Sequence, residues 1–197
     1  MEVKVFLDEK EIDLNEWKVD ESWALGRLID EFNTKLIEED RGVSKVGVDF
    51  KGEAPENVNV WELPLKEFAA VHLYTDEVAN IIKELIADIE NRDIEAIVTD
   101  FVEKFEKGER WGESFADFVM LLEDVMKPVA VLVNWKSIKK EEFKSENFVE
   151  KENKFKEFAE KIKEAFEKAD YNMVKEIIAN EWEVVKELLE VLKKEVE

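Results

Sequence analysis

The 197-residue chain has no cysteine, no glutamine and one histidine, and only three prolines and six glycines. Without thiols there is no disulfide, thiol nucleophile or thiolate metal site. Bases are scarce beside acids: 29 Lys and Arg against 50 Asp and Glu give a net charge of −21. Such a surface repels phosphate backbones and anionic lipid, which argues against nucleic acid and membrane as partners. No apolar run approaches membrane-spanning length; VAVLV is the longest tight cluster. The opening MEVKVFLDEKEIDL alternates apolar and charged residues, unlike the basic-then-apolar start of a signal peptide. The expectation is a soluble cytoplasmic protein. The lack of glutamine beside abundant Lys and Glu fits a heat-adapted source.

What is abundant is apolar and aromatic. A hydrophobic content of 45% with 13 Phe and 6 Trp predicts a folded protein with a sizeable core. The composition changes near Thr75. Before it the chain alternates and turns often, and after it helical periodicity takes over, so the domains are read as 1–75 and 76–197.

In the first part, VKVFL puts Val3, Val5 and Leu7 on one strand face. DEKE is a turn, and Ile12 to Val19 is expected to return as the second strand. Leu25, Leu28, Ile29, Phe32 and Leu36 then share one helical face, with Ser22 as the N-cap and Gly42 as the stop. Val46, Val48 and Phe50 alternate in a further strand. A loop with Pro55 and Pro64 leads to AVHLYT, a last strand with Val71 and Leu73 on one face.

The order strand, strand, helix, strand, loop, strand resembles the β-grasp, or ubiquitin-like, fold. VKVFLDEKEIDL, LGRLIDEFNTKL, VGVDFKGE and VHLYT carry the resemblance. It implies an interaction module or scaffold. Ubiquitin-like modifiers and sulfur carriers need a free Gly-Gly tail, whereas the last strand here runs into TDEVANII. β-Grasp ferredoxins need four cysteines.

After Asp76 the apolar residues Val78, Ile81, Ile82, Leu85, Ile86 and Ile89 are followed, after a five-residue step, by Ile94, Ile97, Val98, Phe101, Val102 and Phe105. The step across ENRD marks a helix break or a shift of buried face. KGERWGES is a turn. A helix is expected from about Ser114 to Trp135, kinked or ended early by Pro128, with NWKSIKKEE as a connection. Another is expected from about Glu142 to Lys168. Phe148, Phe155 and Ile162, and Phe158 and Ala165, recur every seven residues there as a seam. Glu150/Lys154, Glu152/Lys156, Glu157/Lys161 and Glu164/Lys168 have the spacing of i,i+4 pairs, each worth about 0.3–0.5 kcal/mol. Asp170 caps a last helix with a stripe of Val174, Ile178, Trp182, Val185, Leu189 and Leu192.

DFVEKFEK at 100–107 aligns with EFAEKIKE at 157–164. Phe118, Leu121, Leu122, Met126 and Val129 align with Val174, Ile177, Ile178, Trp182 and Val185. Two helical hairpins, read as a duplication, follow from this. KADYNMVKEIIANEWEVVKELLEVL is also similar to the closing segment of uncharacterised bacterial proteins in which DY, a Leu-Leu pair and E-x-E recur. The matching positions are Asp170, Tyr171, Ile177, Ile178 and Glu181. That resemblance brings no activity with it. The fold expected is therefore α+β: a small β-grasp-like domain followed by an all-α bundle of two hairpins.

Chemistry has few candidates. Asp124 and Glu181 flank the apolar stripes, but a di-iron bundle needs Glu-x-x-His motifs, and the only histidine is His72 on a strand. No nucleophile, phosphate-loop or dinucleotide motif surrounds His72 or any glycine pair. The acidic runs EED and ENRDIE lack EF-hand spacing. Catalytic residues, metal and cofactor are all expected to be absent. Trp111 and Met120 are the candidate protein-binding residues, being large apolar side chains not required by the core. The reading is a non-enzymatic protein-binding module, an adaptor or chaperone-like factor, with a basic or amphipathic-helical protein as partner. One alternative is a structural homo-oligomer joined through the Phe148–Ile162 seam. The other is a carboxylate-based enzyme with Asp124 and Glu181 between the hairpins.

Overall fold

A computed structural model describes residues 3–197. The chain is α+β: a four-stranded mixed sheet near the N-terminus is followed by six helices. It divides into two compact units, Met1–Ile81 and Ile82–Glu197, the division falling inside a helix.

The first unit contains β1 (Lys4–Leu7), β2 (Lys10–Glu11), α1 (Leu25–Leu36), β3 (Arg41–Phe50) and β4 (Phe68–Glu77). The sheet order is β2-β1-β4-β3; β1 and β4 are parallel and the other pairs antiparallel. Alternation sends Val3, Val5, Val71 and Leu73 to one face, where Leu25, Leu28, Phe32 and Leu36 of α1 complete the core. Burying each such side chain favours folding by about 1.5–3 kcal/mol.

Several local elements differ from the sequence expectation. The second strand is only two residues long; residues 14–18 turn instead of extending. Trp17 nonetheless reaches the core and stacks on Phe32 with ring centroids 4.0 Å apart. Alternating apolar residues here mark a loop folded over the core rather than a strand. Ser22 is not the N-cap. Its N–H donates to Asp20, Ala24 stays extended in a bridge with Pro64, and Leu25 N–H donates to the Leu63 carbonyl. Gly42 is not the helix stop either. After α1, Ile37–Glu39 forms a 3₁₀ turn ended by Asp40 in the left-handed region at φ 59°. Gly42 lies within β3, where a Cβ would come 3.2 Å from the Ile81 Cδ1.

The helix α2 (Val78–Glu90) is separated by Asn91–Asp93 from α3 (Ile94–Glu106), so the five-residue step is a break. Asp93 caps α3 by accepting from the Ala96 N–H. The second unit continues with α4 (Gly112–Lys139), α5 (Phe148–Glu167), α6 (Tyr171–Glu181) and α7 (Glu183–Val196). α3 packs on α4 and α6, α5 on α6 and α7, and α4 on α7.

Pro128 neither ends nor shortens α4, which continues to Lys139 and absorbs most of NWKSIKKEE. The lost N–H costs one bond to the Asp124 carbonyl, and burial of Pro128 among core residues offsets it. α5 starts at Phe148 rather than Glu142, because Lys144 and Ser145 give their N–H groups to a side chain of α7. The seam residues Phe148, Phe155, Phe158, Ile162 and Ala165 are all buried in the single chain. Lys161 pairs with Glu181 rather than Glu157; the other three i,i+4 pairs form as expected. The last helix is two, interrupted at Trp182.

Candidate functional site

Two connections of the helical unit bring six rings together. Residues 107–111 link α3 to α4 and turn at Gly108, whose φ of +68° is strained for any other residue. Residues 168–170 link α5 to α6, turning at Ala169 with φ 54°. Asp170 accepts from the Met173 N–H and starts α6. Trp111 and Phe115 meet Phe101 and Phe105 on one side and Phe166 and Tyr171 on the other.

The inner members are core residues: Phe101 is fully buried and Phe115 nearly so. The outer members are not. Phe166 is 43% exposed and Tyr171 37%. Phe166 stacks one face on Phe115, with centroids 5.1 Å apart and planes 14° from parallel, and meets Tyr171 edge-on. The rest of the ring accounts for its exposure of 43%. The result is a rigid aromatic platform anchored in the core and half presented to solvent, the kind of surface that anchors protein interfaces.

Trp111 belongs to this platform as a half-buried ring. Met120 does not. Along α4 it lies about 13 Å and half a turn away, and at 56% exposure it stands on a different face. Phe166 and Tyr171 were missed in the sequence. The signal for Phe166 is that it falls beside the seam position Ala165, a large ring with no place in the stripe. Tyr171 likewise precedes the stripe that starts at Val174.

The two acids weighed for catalysis are each held in ion pairs of their own. Asp124 pairs with Arg92 and, at 2.5 Å, with Lys127. The Lys127 hydrogen bond, helped by Arg92, holds its carboxyl below the ordinary carboxylate range despite burial. That is the opposite of a proton-donating acid. Glu181 is paired with Lys161 at 2.7 Å. His72 stacks on Phe6 with centroids 4.8 Å apart and lies 3.3 Å from Asp49, on the outer face of the sheet.

A polar cluster unforeseen in the sequence sits between α3 and α4. The buried Ser114 hydroxyl donates to Asp100 and lies 2.9 Å from the Lys104 Nζ, which also binds Asp100 at 2.7 Å. The hydrogen bond to Asp100 raises the Lys104 pKa, so Lys104 stays an ammonium and has no lone pair to take the Ser114 proton. The cluster clips the two helices together.

Among the described residues, no group of three or more His, Asp or Glu side chains is arranged to hold a metal ion. Among the same residues, no helix is long and apolar enough to cross a membrane. Comparison with protein-family models, curated proteins and solved structures finds no match.

Proposed function

We propose that the protein is a non-enzymatic protein-binding module, an adaptor or chaperone-like factor, that engages its partner through the aromatic platform of the helical unit. The observation that carries this reading is the half-exposure of Phe166 and Tyr171 on rings fixed by the buried Phe115 and Phe101. A preorganised ring surface loses little side-chain entropy on binding, which is the condition for an interface anchor. Phe166→Ser/Tyr171→Ser removes the outer rings and leaves the buried ones. Affinity capture from host lysate with the unaltered chain and with this variant tests it. One stoichiometric partner retained by the first and lost by the second is expected. The same proteins on both would remove the platform from the function.

The N-terminal unit is read as β-grasp-like. The order β2-β1-β4-β3, the parallel central pair and one helix over one sheet face support this; the two-residue β2 departs from it. A duplication of the helical hairpin is supported by burial. Phe118/Val174, Leu121/Ile177, Leu122/Ile178 and Val129/Val185 are buried in both members, and Met126 and Trp182 are both half-buried. The helix interruption at Trp182 aligns two residues before Pro128, the proline inside α4.

A further inference from the structure

Around the platform, charge is distributed unevenly. Every lysine near it is already committed within the unit. Lys104 pairs with Asp100, Lys107 with Glu103, Lys168 with Glu164, and Lys175 with Glu106. Three exposed glutamates have no close ion pair of this kind among the described residues, although Glu109 and Glu113 act at longer range on Lys104 and Glu109 also on Lys107. Glu109 and Glu113 flank Trp111 by two residues on either side, and Glu167 adjoins Phe166. Among the described residues, Arg110 is the one base beside them without a close ion pair, and it is exposed. The exposed residues next to Trp111 and Phe166 in the chain therefore carry net negative charge beside a half-exposed ring surface.

We infer that this platform, if it is the protein-binding site proposed above, takes a basic amphipathic helix, its apolar face on Phe166, Tyr171 and Trp111 and its Lys or Arg side chains against Glu109, Glu113 and Glu167. The exposed part of the Phe166 ring suits either an aliphatic anchor or a guanidinium, since a cation is attracted to a ring face. The rim glutamates supply the counter-charge that steers such a helix and fixes its orientation. A second copy of this chain fits poorly. A two-fold contact at the platform would set each glutamate rim against its own like charge. An acidic helix is repelled for the same reason, and by the −21 charge of the whole chain.

The test is a fluorescence-polarisation titration with a labelled synthetic Leu/Lys helix of about 18 residues patterned at helical spacing. A Leu/Glu peptide of the same pattern and a Leu/Lys peptide of scrambled order run beside it. The proteins are the full chain, Phe166→Ser/Tyr171→Ser, and Glu109→Lys/Glu113→Lys/Glu167→Lys, each checked for helicity by circular dichroism. The patterned Leu/Lys peptide is expected to bind the full chain and to weaken by about tenfold or more in both variants. The Leu/Glu peptide is expected to bind only the lysine variant. Should the triple variant not fold, Glu167→Lys alone, on an exposed helix end, gives the same comparison. Equal binding of the patterned peptide to all the proteins, or equal binding of patterned and scrambled peptides, overturns the inference, because overall charge then holds it. No binding overturns it as well. If the serine variant loses the captured host protein while the lysine variant keeps it, the basic-helix inference falls and the binding-module reading stands.

Discussion

The buried carboxylate of Glu195, near the end of α7, accepts the backbone N–H groups of Lys144 and Ser145 at 2.9 and 2.6 Å. It thereby fixes the connection that delivers the chain to α5. A Glu195→Gln variant keeps the size but loses the charge and one acceptor oxygen, and is expected to cost about 1 kcal/mol. Glu195→Ala leaves both N–H groups without a protein partner, and should cost about 2–3 kcal/mol. Urea unfolding measures the order of the two, and amide exchange at residues 144 and 145 locates the loss. An alanine variant as stable as the glutamine variant would mean that water replaces the carboxylate.

Neither half of this contact stands out in the sequence. Glu195 lies in KKEVE, which reads as a solvated charge run, and its partners are some fifty residues away. The apolar stripes are legible because helical period and burial are the same fact seen twice: Val174, Ile178, Val185, Leu189 and Leu192 are all buried. Asp170 is legible as a cap because its carboxylate acts on an N–H only three residues on. What depends on distant chain is not legible. Ala24 rather than Ser22 precedes α1 because Pro64 holds it extended. Ile12 to Val19 has strand-like spacing, yet its side chains reach the core from turns. Of the platform, Trp111 is visible as a large ring in a turn. Phe166 and Tyr171 join it only because the bundle sets two connections side by side.

Lys136 is nearly buried, and its Nζ lies 3.0 Å from Glu141, a half-exposed carboxylate. The two members are not equivalent. Glu141→Gln leaves an ammonium in a desolvated place without its counter-charge, and is expected to lower stability by about 1 kcal/mol. Lys136→Met removes the charge with its cost of burial, and is expected to be neutral or stabilising. Thermal melts of the two variants decide this. A methionine variant less stable than the glutamine one would show that the ion pair contributes net stability.

Asp124 should give the protein a specific sensitivity to acid. The Lys127 hydrogen bond is the main cause of its lowered pKa, with Arg92 adding to it. The folded value lies below the ordinary 3.8, so the carboxylate form favours the folded state. That contribution is complete above the unfolded value, and is lost as pH falls below 3.8 through the folded one. Asp124→Asn is therefore expected to be less stable than the unaltered chain near neutrality. The difference should close on going below 3.8. Urea midpoints across that range read it directly, and a gap of constant size would assign the effect to packing rather than charge.

The turn between β1 and β2 offers a variant that should stabilise. Leu7 pairs with Lys10, so Asp8 and Glu9 form a two-residue hairpin loop, and both have positive φ, 47° and 68°. This is the backbone pattern of a type I′ turn, whose second position favours glycine. Glu9 is exposed and, among the described residues, has no ion pair or side-chain hydrogen bond to lose. Glu9→Gly is expected to gain about 0.5–1 kcal/mol, since the strain of an L side chain at that φ disappears. Asp8 has the same sign of φ but a different circumstance. Its carboxylate accepts the Thr75 N–H and hydroxyl and pairs with Arg41 at 3.0 Å, tying the turn to the ends of β3 and β4. Burial works against that charge, and the Thr75 and Arg41 hydrogen bonds outweigh it. Asp8→Gly is therefore expected to destabilise even though it relieves the same kind of strain. Paired urea unfolding of the two glycine variants separates backbone conformation from side-chain bonding. Shifts of the same sign in both would mean that the hydrogen bonds of Asp8 contribute less than the strain they accompany.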